Sequence, residues 1–163
     1  MIGIFYATGK GDTQKACEYA AAKFGDEVKV IKAVKDVVQS NEFEGFDLLI
    51  LASSSYGFGE LHEDWKAKLG LLKEANLKGK KVALIGVGNQ ERHGDNFCGG
   101  IVEFLPFVKG ASLLGAKDKD GYKFDYSSAF INGKFIGLVL DTKGDKEYEK
   151  RIDKWASDIK AQI

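Results

Sequence analysis

Hydrophobic and polar positions fall along this chain in blocks whose period changes. Residues 2–7 (Ile-Gly-Ile-Phe-Tyr-Ala) form a short, β-rich apolar run that reads as a buried strand. A turn with Gly9 and Gly11 follows, and a helix is then expected from Asp12, its N-cap, through Cys17 and Ala22 to about Phe24-Gly25. Glu27 to Ala33 predicts a second strand, and Asp36 to Phe46 a weaker helix or loop. Asp47 to Ser53 (DLLILAS) is nearly all apolar, as a central parallel strand covered on both faces requires. A helix is predicted over His62 to Ala75, with Trp65, Leu69 and Leu72 on one face. Lys81 to Gly86 reads as the fourth strand, Asp95 to Lys109 as the helix after it, and Ser112 to Gly115 as the start of a fifth strand. The pattern breaks over 116–133, which is polar, glycine-containing and aromatic, and Phe135 to Leu140 then reads as strand again. A last helix, about Lys146 to Ala161, aligns Tyr148, Ile152, Trp155 and Ile159.

Strands alternating with helices predict an α/β protein with a doubly wound parallel sheet, since crossovers between parallel strands are right-handed. The ligand site of such a sheet lies at the carboxyl ends of its strands, so the loops after the first, third and fourth strands carry the candidate chemistry. The first is Thr8-Gly-Lys-Gly-Asp-Thr13, with hydroxyls, pliable backbone and the start of a helix, whose free N–H groups can seat a phosphate. The same strand–turn–helix is also the commonest connection in any α/β protein, so both readings stay open. It is neither an ATP-binding P-loop nor a Gly-x-Gly-x-x-Gly dinucleotide fingerprint, because its spacing fits neither. The second loop, Ser53 to Leu61, and the third, Gly86 to Phe97, each place one flat side chain, Tyr56 or His93, among small and polar residues. Two flat groups beside a phosphate seat would sandwich a planar ring.

Composition narrows the classes. The 163 residues suffice for one domain, and 44% apolar residues with a single proline exclude disorder. No apolar stretch is long enough for a membrane span, and no basic-plus-apolar leader precedes Ile2, which predicts a cytoplasmic protein. Twenty-four basic residues balance 24 acidic ones, so nucleic acid is not an expected partner. Cys17 and Cys98 read as reduced core thiols, with no metal-ligand pair.

Over its whole length the sequence resembles the flavodoxins, small carriers of flavin mononucleotide (FMN). The carrying motifs are Thr8-Gly-Lys-Gly-Asp-Thr13, Ser55-Tyr-Gly-Phe-Gly-Glu-Leu61 with Asp64-Trp65, Gly86-x-Gly-Asn-Gln90 and Asp95-Asn-Phe97. The interruption at 117–133 is similar to the insertion of the long-chain members. The resemblance implies a five-stranded sheet in the order 2-1-3-4-5, its fifth strand interrupted, in one FMN-binding domain spanning 1–163. It also implies a monomeric, low-potential one-electron carrier that shuttles between semiquinone and hydroquinone, with a donor reductase and an acceptor enzyme as partners and no catalytic side chain. Thr8, Gly9, Lys10, Gly11, Asp12 and Thr13 would surround the phosphate, with Ser54 and Ser55 close to it and to the ribityl chain. Tyr56 would stack on one ring face and His93 on the other, where most relatives carry tyrosine. The Gly57-Phe58 peptide would meet flavin N5, with Gly59, Gly88, Asn89, Asn96 and Phe97 completing the loops.

Four departures from the family pattern stand out. Lys10 replaces a small hydroxyl residue, and it either pairs with the phosphate or points to water. Asn89 stands for aspartate, His93 for tyrosine, and the net charge is zero where relatives are strongly acidic. A flavin-dependent NAD(P)H:quinone reductase is the alternative on this fold, although no segment reads as a nicotinamide site. A phosphorylated receiver domain needs acidic residues where Ala7-Thr8 and Ser53-Ser54 stand, and a flavin-free interaction module would be colourless. His62 reads as a surface residue, Trp65 and Trp155 as core, and Lys66, Lys68 and Lys73 as a solvated helix flank.

Overall fold

The computed structural model describes residues 1–56 and 58–163. Its strands are β1 (Ile2–Ala7), β2 (Val28–Ala33), β3 (Leu48–Tyr56), the two-residue β4 (Glu60–Leu61), β5 (Lys81–Val87), β6 (Ser112–Leu114), β7 (Phe130–Ile131), β8 (Lys134–Phe135) and β9 (Leu138–Leu140). Parallel pairing gives the order β2-β1-β3-β5, and β6 and β9 share the next place. β6 pairs with Lys81–Ala83 and β9 with Ile85–Val87, so the fifth strand is present as two halves along one edge of β5. This is the interrupted strand that the sequence predicted. Between the halves Gly137 passes so close that a Cβ there would lie 2.3 Å from the Leu84 carbonyl oxygen.

The continuous apolar runs of β1, β3 and β5 have their physical reason in two cores, one on each face. Ile2, Ile4, Leu48, Ile50 and Ile85 point to one side, where α1 (Asp12–Phe24) contributes Ala16, Cys17, Ala20 and Phe24. On the same side the last helix supplies Ile152, Trp155, Ala156 and Ile159. Phe5, Leu49, Leu51, Val82 and Leu84 point to the other side, against Phe43, Trp65, Leu72, Ile101 and Phe104. Both tryptophans are fully buried, and their indole N–H groups donate to Ala52 O at 2.8 Å and Gly115 O at 3.0 Å.

Several expected elements differ. Gly11, with φ +95°, and not Asp12 is the residue before the first helical turn, because only a glycine takes that conformation without strain. Residues 36–46, expected as a weaker helix or loop, are irregular chain with short 3₁₀ turns at Val34–Asp36 and Ser40–Phe43. The helix expected over 62–75 is two pieces, α2 (Glu63–Lys66) and α3 (Leu69–Glu74), separated where Lys68 leaves helical angles. The helix expected over 95–109 is a 3₁₀ run, Gly99–Phe107. Gly99-Gly100 and Pro106 weaken α-helix there, and a Cβ on Gly100 would lie 2.7 Å from the Glu60 carbonyl oxygen. The last helix, α4, spans Tyr148–Lys160. Among the described residues no helix is long and apolar enough to cross a membrane.

Candidate functional site

At the carboxyl ends of β1, β3 and β5 a cavity of about 190 Å³ opens to the surface. Its floor is the start of α1. The Gly11 N–H donates to Thr8 Oγ1 at 2.9 Å, which closes the 8–11 turn, and no side chain caps the helix. The first-turn N–H groups therefore face the cavity edge without a side-chain acceptor. Thr13 is 1% exposed, yet its Oγ1 has no hydrogen-bond partner among the described residues, and neither has the buried Oγ of Ser54. Buried hydroxyls left unpaired cost about 1–3 kcal/mol each, so two of them lining one cavity, over an uncapped helix start, fit an acceptor-rich anion.

The second loop is held by its neighbours. Ser53 Oγ donates to Ser54 O at 2.8 Å and accepts from the His62 N–H at 3.1 Å, while Ser55 Oγ accepts from Gly100 N–H at 3.3 Å. Tyr56 is 45% exposed, and its hydroxyl rests on the phosphate-type turn: a Cβ on Gly9 would lie 1.9 Å from it. His62 is half-buried, not the surface residue expected. Its ring stands edge-on to Tyr56 with centroids 5.0 Å apart, and its Nδ1 accepts from Asp64 N–H at 2.9 Å, capping α2.

In the third loop Asn89 Oδ1 accepts from the Glu91 and Arg92 N–H groups, and the exposed His93 donates its N–H to Asn89 O at 2.8 Å. Gly88 packs on Cys98, whose thiol burial pushes well above the ordinary range, leaving an unreactive core thiol.

Of the sequence candidates, Thr8, Gly9, Lys10, Asp12, Thr13, Ser54, Ser55, Tyr56, Gly88, Asn89 and His93 line the cavity. Gly11 supports the turn from outside the lining. Phe58, Gly59, Asn96 and Phe97 lie apart from it. Phe97 is fully buried against Tyr122, Phe124 and Phe135, and Asn96 braces loops, donating to Phe58 O at 3.3 Å and accepting from Ser128 N–H at 2.8 Å. Gly57 lies outside the described residues, and so does the peptide expected at flavin N5. Val87, Thr142 and Lys143 line the cavity unanticipated. The last two follow β9 at the same carboxyl edge, so the rule that selected the other loops applies to this fourth one equally.

A larger groove, about 650 Å³, lies at the opposite edge near Met1, Phe24, Asp47, Lys80, Lys160 and Ile163. Its charges are already partly satisfied, the Met1 ammonium by Asp47 and Glu27, and it collects no unpaired hydroxyls. The smaller cavity, lined by Thr13 and Ser54, is the better site.

Fold and cavity define a doubly wound α/β protein with an open cavity, lined by hydroxyls and a helix start, where the strand order reverses. The chain belongs to the flavodoxin family, whose strand order is itself a standard instance of that switch-point rule. The family model described as Flavodoxin matches residues 4–155. The flavodoxin of Helicobacter pylori is 33% identical over 165 residues, covering 99% of this chain and 98% of the relative. That of Synechocystis is 36% identical, covering 98% and 95%. The crystal structure of Fusobacterium nucleatum flavodoxin bound to flavin mononucleotide superposes with a TM-score of 0.92 at 38% identity, over 99% of this chain and 98% of that one.

Proposed function

We propose that this cavity binds FMN and that the chain, as one FMN-binding domain, is a one-electron carrier. The observation that carries the reading is the pair of partnerless buried hydroxyls, Thr13 Oγ1 and Ser54 Oγ, beside the uncapped start of α1. Thr8, Gly9, Gly11 and Thr13 would enclose the phosphate, with Lys10 on the same rim. Ser55 would face the ribityl chain, and Tyr56 and His93 would offer flat groups to the ring. A volume of about 190 Å³ suits the phosphate end and is too small for a three-ring group, since drug-sized ligand pockets begin at about 300 Å³. Tyr56 is the side chain whose displacement would enlarge it, because its ring is exposed and its hydroxyl rests on Gly9.

Bound flavin supplies the electron chemistry, and the chain's residues bind it, orient it and shape its electrostatics. Flavodoxins are electron-transfer proteins and not enzymes, and the NAD(P)H:quinone reductase reading is not favoured. A donor reductase and an acceptor enzyme remain the proposed partners. Balanced charge means weaker long-range steering toward basic partners than an acidic carrier enjoys.

Titration of the apoprotein with FMN tests the reading. FMN fluorescence should be quenched to a one-to-one endpoint with a protein-bound visible spectrum, and an anaerobic reductive titration should resolve two one-electron steps. Unquenched FMN at micromolar protein would overturn it.

A further inference from the structure

We propose that Lys143, on the loop after β9, is a counter-charge for the ligand's phosphate and makes this site select phosphorylated over unphosphorylated flavin. The proposal rests on the phosphate-binding reading above and adds a fourth loop to it.

Lys143 lines the cavity together with Lys10, and its Nζ lies 3.3 Å from Asp12 Oδ2 in the first turn of α1. The carboxylate of Asp12 stands beside the seat marked by Thr13 Oγ1, a hydroxyl 1% exposed and without a partner. A phosphate monoester brings about −1.5 to −2 charges, and the helix start offers about +0.5. With Lys143 cancelling Asp12, the helix start and Lys10 leave about +1.5 to face the dianion; without Lys143 the uncompensated Asp12 would cut that to about +0.5.

The position of Lys143 is built into the fold. Asp141, fully buried at the end of β9, accepts from the Lys143 N–H at 3.2 Å and the Gly144 N–H at 2.8 Å, while its other oxygen accepts from the Gln90 N–H at 3.3 Å. A Cβ on Gly144 would lie 2.6 Å from Asp141 Oδ2, so the loop closes tightly on that carboxylate. One buried group thus sets the backbone of the fourth loop and of the third loop together, and the Asp12 contact places the lysine's ammonium over the start of α1. Preorganisation of this kind turns an ordinary exposed lysine into a specificity element.

Lys143→Gln, Lys143→Arg and the unaltered apoprotein, titrated with FMN, riboflavin and inorganic phosphate, form the test. Lys143→Gln should raise the FMN Kd about fivefold, the equivalent of about 1 kcal/mol, and leave the riboflavin Kd unchanged. It should also weaken the thermal stabilisation that inorganic phosphate gives the apoprotein, and the arginine variant should restore most of both. The FMN effect should shrink as salt rises. Equal shifts for FMN and riboflavin, or none for FMN, would overturn the role of Lys143 while leaving flavin binding intact. Failure of the unaltered protein to bind FMN would instead overturn the underlying site.

Discussion

His93 is an exposed ring on the cavity, its backbone N–H on Asn89 O and its carbonyl accepting from the Asn96 N–H. An imidazolium beside a bound flavin favours the negative charge that the second electron adds. A cation held at position 93 should therefore raise the second one-electron potential above that of a neutral side chain there. A unit charge roughly 6 Å from another, at an effective dielectric of about 20, interacts by about 2.8 kcal/mol. That energy sets a ceiling of about 120 mV on a one-electron couple, and solvent at an exposed ring lowers it. His93→Lys should raise that potential relative to His93→Tyr by no more than this ceiling, measured by redox titration at one pH; equal potentials in the two variants would show that the side chain swings clear. At this scale the sequence was informative wherever a residue acts through its own local motif. Eleven predicted side chains or glycines do line the cavity. His62 was misread because its ring packs against Tyr56, and Lys143 was missed because its contact at the cavity is with Asp12, 131 positions away in the chain.

Among the elements, strands were legible and helices less so. β1, β3 and β5 are buried on both faces, and a run of apolar residues announces that without any partner being known. The stretch over 36–46 shows what local pattern conceals. There Glu42 accepts from the Val38 N–H at 2.7 Å and the Gln39 N–H at 2.9 Å and pairs with Lys32 on β2, so a side chain decides between helix and loop by organising a 3₁₀ turn. The Lys32 ammonium first, then those two N–H groups, hold the Glu42 carboxyl far below the usual carboxylate range, at about 2. A depressed carboxyl stabilises the fold above its unfolded pKa, about 4.3, and loses that contribution as pH falls toward 2. Glu42→Gln should consequently cost about 1 kcal/mol near neutral pH. In urea denaturation the difference from the unaltered protein should close between about pH 4.3 and 2. A deficit of the same size at both ends of that range would mean that the carboxylate charge is irrelevant. The Gly99–Phe107 run carried visible breakers in Gly99-Gly100 and Pro106, but the close approach to Glu60 that requires Gly100 is a tertiary fact.

For the molecule as a whole, the insertion over 116–133 is the part that composition described worst, since its polar surface hides how it docks. Its aromatic residues Tyr122, Phe124 and Phe130 pack with Phe97 and Phe135 into one cluster behind the third loop. Backbone bonds tie the two segments: Asp125 N–H donates to Gly94 O at 2.7 Å and Phe97 N–H to Tyr126 O at 2.9 Å. Tyr122 is the deepest anchor. Its hydroxyl donates to Asp145 Oδ2 at 2.9 Å and accepts from Asp141 N–H at 3.0 Å, and the Arg151 guanidinium lies 3.8 Å from its ring centroid. Insertion, β9 and α4 therefore meet on one phenol, beside the carboxylate that holds Gln90 and Lys143. Tyr122→Phe keeps the ring and leaves the Asp141 N–H and an Asp145 oxygen short of a partner, at a cost of about 2 kcal/mol, or about 5 °C in Tm. Tyr126→Phe, altering a tyrosine that is 55% exposed, should cost almost nothing. Thermal and urea denaturation of the two variants would separate a structural brace from a surface appendage. Equal, small losses would place the insertion outside the cooperative unit, whereas the unequal pair expected here makes it part of the scaffold that fixes the cavity's third and fourth walls.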